Sequence, residues 1–244
     1  MPQPTIINAG NNNVVNDTTS YDPAEDAGAS RTFNGITIPA NANTVCFLFV
    51  MDVASSSFDV SDISATGGGV EIFDFEIAPD ASGYRTSAAM AMDVSSLGAF
   101  TSTITVSLSA ASAAGSILGV VCTDGFIENV TSTSDRATFS PLFRSYSKNS
   151  DNNILCQMHC VDGDYSNALT ISSGTELFNA ADSKTAGSGV YAISQATSSA
   201  DVKTISYTAP VGADTFDVQY VFASQKNPFE QQGGGLIRNV IRNV

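Results

Sequence analysis

The chain has 244 residues, 43% of them hydrophobic and only 14% charged, with 24 Asp and Glu against 10 Lys and Arg for a formal net charge of −14. A surface so acidic repels phosphate backbones and anionic headgroups, which argues against nucleic acid and membrane surfaces as partners. No stretch approaches the ~18 consecutive apolar residues of a membrane span, and Met1-Pro2-Gln3-Pro4 lacks the basic and apolar regions of a secretory signal.

Residues 1–30 read as an Asn/Asp/Ser-rich arm with brief apolar touches at Ile6-Ile7 and Val14-Val15, too little to stay ordered alone. Strand signals follow at Thr32–Ile38, Thr44–Val53, Phe58–Ser64, Val70–Ile77, Thr86–Val94, Thr101–Ser109 and Ser116–Cys122. Thr103-Ile-Thr-Val-Ser-Leu-Ser109 alternates polar and apolar residues, as a strand with one wet face does. Val45-Cys-Phe-Leu-Phe-Val-Met51 is apolar at every position, which predicts a mid-sheet strand covered on both faces. Turn formers punctuate these runs at Gly67-Gly-Gly69, Pro79-Asp80, Asp124-Gly125, Asp162-Gly163 and Gly187-Ser-Gly189.

The same scheme returns between Thr138 and Phe222. Asn43–Asp52 aligns with Asn153–Asp162 through Asn43/Asn153, Cys46/Cys156 and Asp52/Asp162. Gly69–Asp74 aligns with Gly174–Asn179, Met90–Met92 with Tyr191–Ile193, Ile104–Val106 with Ile205–Tyr207, and Ile117–Val121 with Val218–Phe222. The offset shrinks from 110 (Asn43 to Asn153) to 105 (Gly69 to Gly174) to 101 (Met90 to Tyr191), a drift that fits deletions in loops. The expected fold is therefore all-β: an internally duplicated antiparallel β-sandwich of jelly-roll or Ig-like type, its copies packed together or in tandem. No Pro/Gly/Ser-rich linker separates them, since Phe126–Asp135 is only mildly turn-rich, and this favours intimate packing. The division is an arm at 1–30, copy one at 31–128, copy two at 129–228 and a tail at 229–244.

Four features carry a family resemblance: the apolar Thr44–Asp52, the Gly68-Gly-Val-Glu-Ile72 turn and strand, the alternating Thr101–Ser109, and Gly119-Val-Val-Cys-Thr-Asp-Gly125. Ser183-Lys-Thr-Ala-Gly187, Thr204-Ile-Ser-Tyr207 and the strand before Lys226-Asn-Pro228 extend it. Over roughly Thr32 to Pro228 the layout resembles small β-sandwich proteins of tailed phages, head- or tail-associated. The resemblance implies a virion setting: a surface decoration, fibre or spike module, made in the host cytoplasm, whose partners are other virion proteins and copies of itself.

Candidate chemistry is sparse. The single His, His159, lies in an apolar run where copy one has Phe49, and a strand sets it on the face opposite Cys156 and Cys160, against a shared zinc site. All four cysteines, Cys46, Cys122, Cys156 and Cys160, sit in apolar runs as small buried hydrophobes. Asp59, Asp62, Glu71, Asp74 and Glu176 read as a solvated acidic face before a carboxylate pair of a glycosidase, so no catalytic residue is expected. Asp162 and Asp164, spaced as alternate oxygen donors, are the candidate ligands of a calcium ion; turn formation is the simpler reading of their Asp-Gly step, and no other cofactor is implied. Asn16 and Asn129 head glycosylation triplets that have no use without a secretory route. An alternative function is an extracellular carbohydrate-binding or adhesin-like module, with Tyr84, Tyr165, Tyr191 and Tyr207 to stack on a glycan.

After Gly233-Gly-Gly235 the segment Leu236-Ile-Arg-Asn-Val-Ile-Arg-Asn-Val244 repeats Ile-Arg-Asn-Val. Helical spacing would put Ile237, Val240, Ile241 and Val244 on one face beside Arg238 and Arg242; strand spacing would align Leu236, Arg238, Val240, Arg242 and Val244. The segment is shorter than the ~12–15 residues of a stable isolated helix. It reads as a docking tail that orders against a partner.

Overall fold

The computed structural model describes residues 3–12, 28–52, 60–77, 85–110, 116–136, 142–147, 153–161, 170–181, 190–196, 202–208 and 214–225. These residues form β-strands joined by turns and contain no helix. The first half comprises β1 (Ile6–Asn12), β2 (Ser30–Ile38), β3 (Thr44–Asp52), β4 (Val60–Ala65), β5 (Val70–Ile77), β6 (Arg85–Asp93), β7 (Phe100–Leu108) and β8 (Ser116–Thr123). The second comprises β9 (Phe126–Arg136), β10 (Leu142–Ser147), β11 (Ile154–Val161), β12 (Thr170–Ser173), β13 (Thr175–Ala181), β14 (Val190–Ala196), β15 (Val202–Thr208) and β16 (Asp214–Ala223).

All the strand pairings are antiparallel. The first half builds an inner sheet ordered β1-β8-β3-β6-β5 and an outer sheet ordered β2-β7-β4; the second builds β9-β16-β11-β14-β13 and β10-β15-β12. Adding eight to every strand number of the first half reproduces the second. Within the first half, β1 pairs with β8, β2 with β7 and β3 with β6, while β4 pairs with β7 and β5 with β6.

Alternation of side chains explains how the layers stack. Val45, Phe47 and Phe49 of β3 enter a core between the first half's two sheets with Phe33, Ile38, Ile63, Met90, Ile104 and Leu118. Cys46 and Leu48, between them in sequence, enter a second core with Ile154, Cys156, Met158, Val218, Tyr220 and Phe222 of the other half. The inner sheets thus pack face to face, and β3 is buried on both sides as its composition predicts. β7 shows the opposite pattern: Ser102, Ile104, Val106 and Leu108 are buried, with the residues between them partly exposed.

Three expectations change. The mildly turn-rich residues 126–135, divided at 128 between copy one and copy two, lie within one strand, β9, an edge strand of the second inner sheet. Part of the N-terminal arm is likewise a strand: Ile6–Asn12 pairs with β8 in the place β9 takes beside β16. The arm therefore has a counterpart in the other half. Sequence comparison misses it because an edge strand joins a ladder through backbone groups, which leaves its side chains free to diverge. The register of the last strand also shifts. Cys46 pairs with Val121 and Cys156 with Tyr220, so Val121 corresponds to Tyr220, two residues from its sequence match with Phe222. A two-residue slip keeps every side chain on its face.

Because both halves share the central core, loss of packing there weakens the whole chain. Leu48→Ala should lower global stability by about 2–5 kcal/mol, with the two halves unfolding together in one urea transition followed by circular dichroism.

Candidate functional sites

Three places collect polar or reactive groups. The first is the turn from β8 to β9, where the N-terminal arm, the start of β3 and the end of β16 converge. Asp124 accepts hydrogen bonds from the Thr5 backbone N–H at 2.6 Å and the Thr5 hydroxyl at 2.9 Å. The Asn43 side-chain amide donates to the Asp124 carbonyl, and the Thr44 hydroxyl donates to that of Gly125 at 2.8 Å. Thr123 Oγ1 donates to the Thr5 carbonyl at 2.7 Å and accepts from the Gly125 N–H at 3.0 Å. Asn153, which matches Asn43, takes a related position: its side-chain amide donates to the Glu128 carboxylate at 2.8 Å, and its backbone carbonyl accepts from the Gln3 side-chain amide at 2.9 Å. A Cβ on Gly125 would lie 2.8 Å from Pro4 Cβ, 3.0 Å from Phe222 Cβ and 3.1 Å from the Ala223 carbonyl oxygen, so this close approach requires glycine. The turn ties the arm to both halves at once.

The second is a set of thiols. Cys46, Cys122 and Cys156 are free and buried. Cys46 and Cys156 hold matched places on β3 and β11 and lie in the same central core. Burial pushes the thiols of Cys122 and Cys156 up to about 12. Cys46 is raised well above the ordinary range, first by burial and then by the neighbouring Cys156 and Cys122. Such thiols stay protonated and are poor nucleophiles and metal ligands.

The third is a polar face on the second inner sheet. In the β11–β16 ladder Gln157 stands opposite Gln219 and His159 opposite Asp217. Gln157 and Asp217 are wholly buried and Gln219 nearly so. The corresponding pairs of the first half are Phe47 with Val120 and Phe49 with Leu118. Sequence reading singled out His159 and passed over Gln157, Asp217 and Gln219. The signal was available in the aligned Phe47 and Gln157, two residues before the position that drew notice.

The acidic candidates divide between sheets: Asp62 lies exposed on β4 of the first outer sheet, Glu71 and Asp74 on β5 of the first inner sheet, and Glu176 exposed on β13 of the second. Asn129 is exposed on β9, and Tyr191 and Tyr207 occupy β14 and β15. Among the described residues, no group of three or more His, Cys, Asp and Glu could hold a metal ion. The calcium candidates Asp162 and Asp164, together with Asn16, Asp59, Tyr84 and Tyr165, lie outside the described residues. So does the docking tail with Leu236, Ile237, Arg238, Val240, Ile241, Arg242 and Val244. Comparison with protein-family models, curated proteins and solved structures gave no match to this chain.

The Asp124-Gly125 turn makes Gly125→Ala costly, by about 1–3 kcal/mol in chemical unfolding, whereas Gly10→Ala, with nothing within 4 Å of its Cβ, should stay within about 0.5 kcal/mol of wild type. For the thiols, folded-state pKa values above the unfolded one mean that the folded chain holds its protons longer. Their stabilisation is complete below about pH 9, the unfolded value, and is lost as pH rises toward 12. In a Cys160→Ser background, a thiol reagent at pH 8 should label none of the three until denaturant is added; rapid labelling of the native protein would contradict their burial.

Proposed function

We propose that this chain is a structural, non-enzymatic component of a phage-like virion: a surface decoration, fibre or spike module assembled from copies of itself and anchored to neighbouring virion proteins through its terminal arms. The strand order carries the reading. The inner β1-β8-β3-β6 set facing β2-β7-β4 resembles a jelly roll, with β5 added beside β6, and its recurrence with each number raised by eight supports tandem duplication of one such unit. Jelly rolls serve as viral capsid and lectin domains. Here the two units stack through a hydrophobic core in place of a flexible joint, which suits a rigid building block better than a pair of independent binding modules.

The ends support the same role. Part of the N-terminal arm is a sheet strand fastened at Asp124, while β1, β5, β9 and β13 leave four inner-sheet edges for neighbours. Lateral association through such edges is the ordinary route by which β-proteins assemble. The net charge of −14 keeps a densely displayed subunit soluble, and the basic, apolar Leu236–Val244 segment supplies contrasting chemistry for a docking contact.

Density-gradient fractionation of particles from the native source tests this reading. The full-length protein should band with intact particles. A chain lacking Gly233–Val244 should keep its cooperative melt and disappear from the particle band. Full-length protein confined to the soluble fraction would overturn the virion assignment; truncated protein at normal occupancy would overturn docking by the tail.

A further inference from the structure

The two halves share a strand order but differ in the interior between their inner and outer sheets. In the first half Phe47, Phe49, Leu118 and Val120 form the floor of an apolar core, and Phe33 from the outer sheet meets Phe49 edge-on, with ring centroids 6.0 Å apart. The matching ladder positions of the second half hold Gln157, His159, Asp217 and Gln219. Arg144 stands opposite Ile205 on β15 as Phe33 stands opposite Ile104 on β7, so it takes the register position of Phe33 in the second outer sheet.

Gln157 is 0% exposed, and neither its amide nitrogen nor its amide oxygen has a hydrogen-bond partner. A buried amide left unpartnered lowers the stability of the closed arrangement, because opening restores its hydrogen bonds to water. The cover is also smaller: β10, β15 and β12 have 6, 7 and 4 residues, against 9, 9 and 6 in β2, β7 and β4. Shorter strands contribute fewer ladder hydrogen bonds and less buried surface. Composition and length therefore weaken the same layer.

We infer that the outer sheet β10-β15-β12 separates from the second inner sheet as a unit under native conditions, while the corresponding layer of the first half stays closed. The chemistry of the uncovered floor makes this opening tolerable. It bares two amides and a carboxylate, which water solvates, whereas the same movement in the first half would bare Phe47, Phe49, Leu118 and Val120 and invite aggregation. The central core between the inner sheets is untouched by the movement, so the chain stays folded as the layer parts.

Native-state hydrogen exchange with mass spectrometry, on the full chain without denaturant, reads the opening directly. Amides of β10, β12 and β15 should exchange at least about tenfold faster than those of β2, β4 and β7. Gln157→Leu should slow exchange in the β10, β12 and β15 peptides and leave the first half unchanged. The converse change, Phe47→Gln, should accelerate exchange in β2, β4 and β7. Equal protection of the two outer sheets would overturn the inference, as would a Gln157→Leu chain whose second outer sheet exchanges as fast as wild type or faster.

Discussion

Cys46 and Leu48 leave β3 toward one neighbour, Val45, Phe47 and Phe49 toward another, and all five are fully or almost fully buried. That double burial is the constraint around which the molecule is arranged. A sheet with one face in water needs apolar residues only at every second position, whereas one covered on both faces is apolar along most of its length. β3 meets that demand, and β6 does so with Ala88, Met90 and Met92 on one side and Ala89 and Ala91 on the other. Each half is thereby committed to the other: separating them would expose the central core, an apolar surface that an isolated half could not keep in water.

The two sides of the central core complement each other in size. The first half contributes Cys46, Ala89, Ala91, Leu48 and Val121, mostly small, and the second contributes Met158, Tyr220 and Phe222 among its larger groups. Tyr220 stacks on Phe222 within its own strand and on Phe73 of the first half, with ring centroids 5.9 and 6.2 Å apart. Small residues on one sheet make room for aromatics on the other, the interlocking that sheets packed about 10 Å apart require. Matched strands thus differ in side-chain size at the contact that holds them, and they differ in polarity, large apolar against polar, in the outer interior of the second half.

Much of this was legible in the sequence, for definable reasons. Strand β5 matches its predicted bounds, and the others of the first half that were anticipated differ by two residues or fewer at either end, because turn formers and period-two alternation delimit them. The glycines before β5 and β13 carry their own signal: Gly67 and Gly68 have φ of 111° and 85°, and Gly174 has φ of 94°, values a side chain resists. Edge strands β1 and β9 were illegible because pairing by backbone leaves little trace in side chains. The register of β8 against β16 was ambiguous because a slip of two preserves the hydrophobic pattern. The polar floor escaped notice for a different reason: a search for repeats rewards identity, whereas Gln157, Asp217 and Gln219 are informative where they depart from it.

That asymmetry bears on how two halves of one strand order come to differ in stability. Where the two halves stack through a common core, the inner-sheet faces that meet there keep the chain together, whichever residues line their other faces. The outer sheets have only one partner each. Substitutions that weaken an outer interface therefore cost stability locally, and the central core keeps the chain folded meanwhile. The second half shows both kinds of weakening, shorter cover strands and a polar floor; the first shows neither. Rigidity at the centre is what allows one outer layer to loosen, so the constraint on β3 and β11 and the licence given to β10, β12 and β15 have the same physical origin.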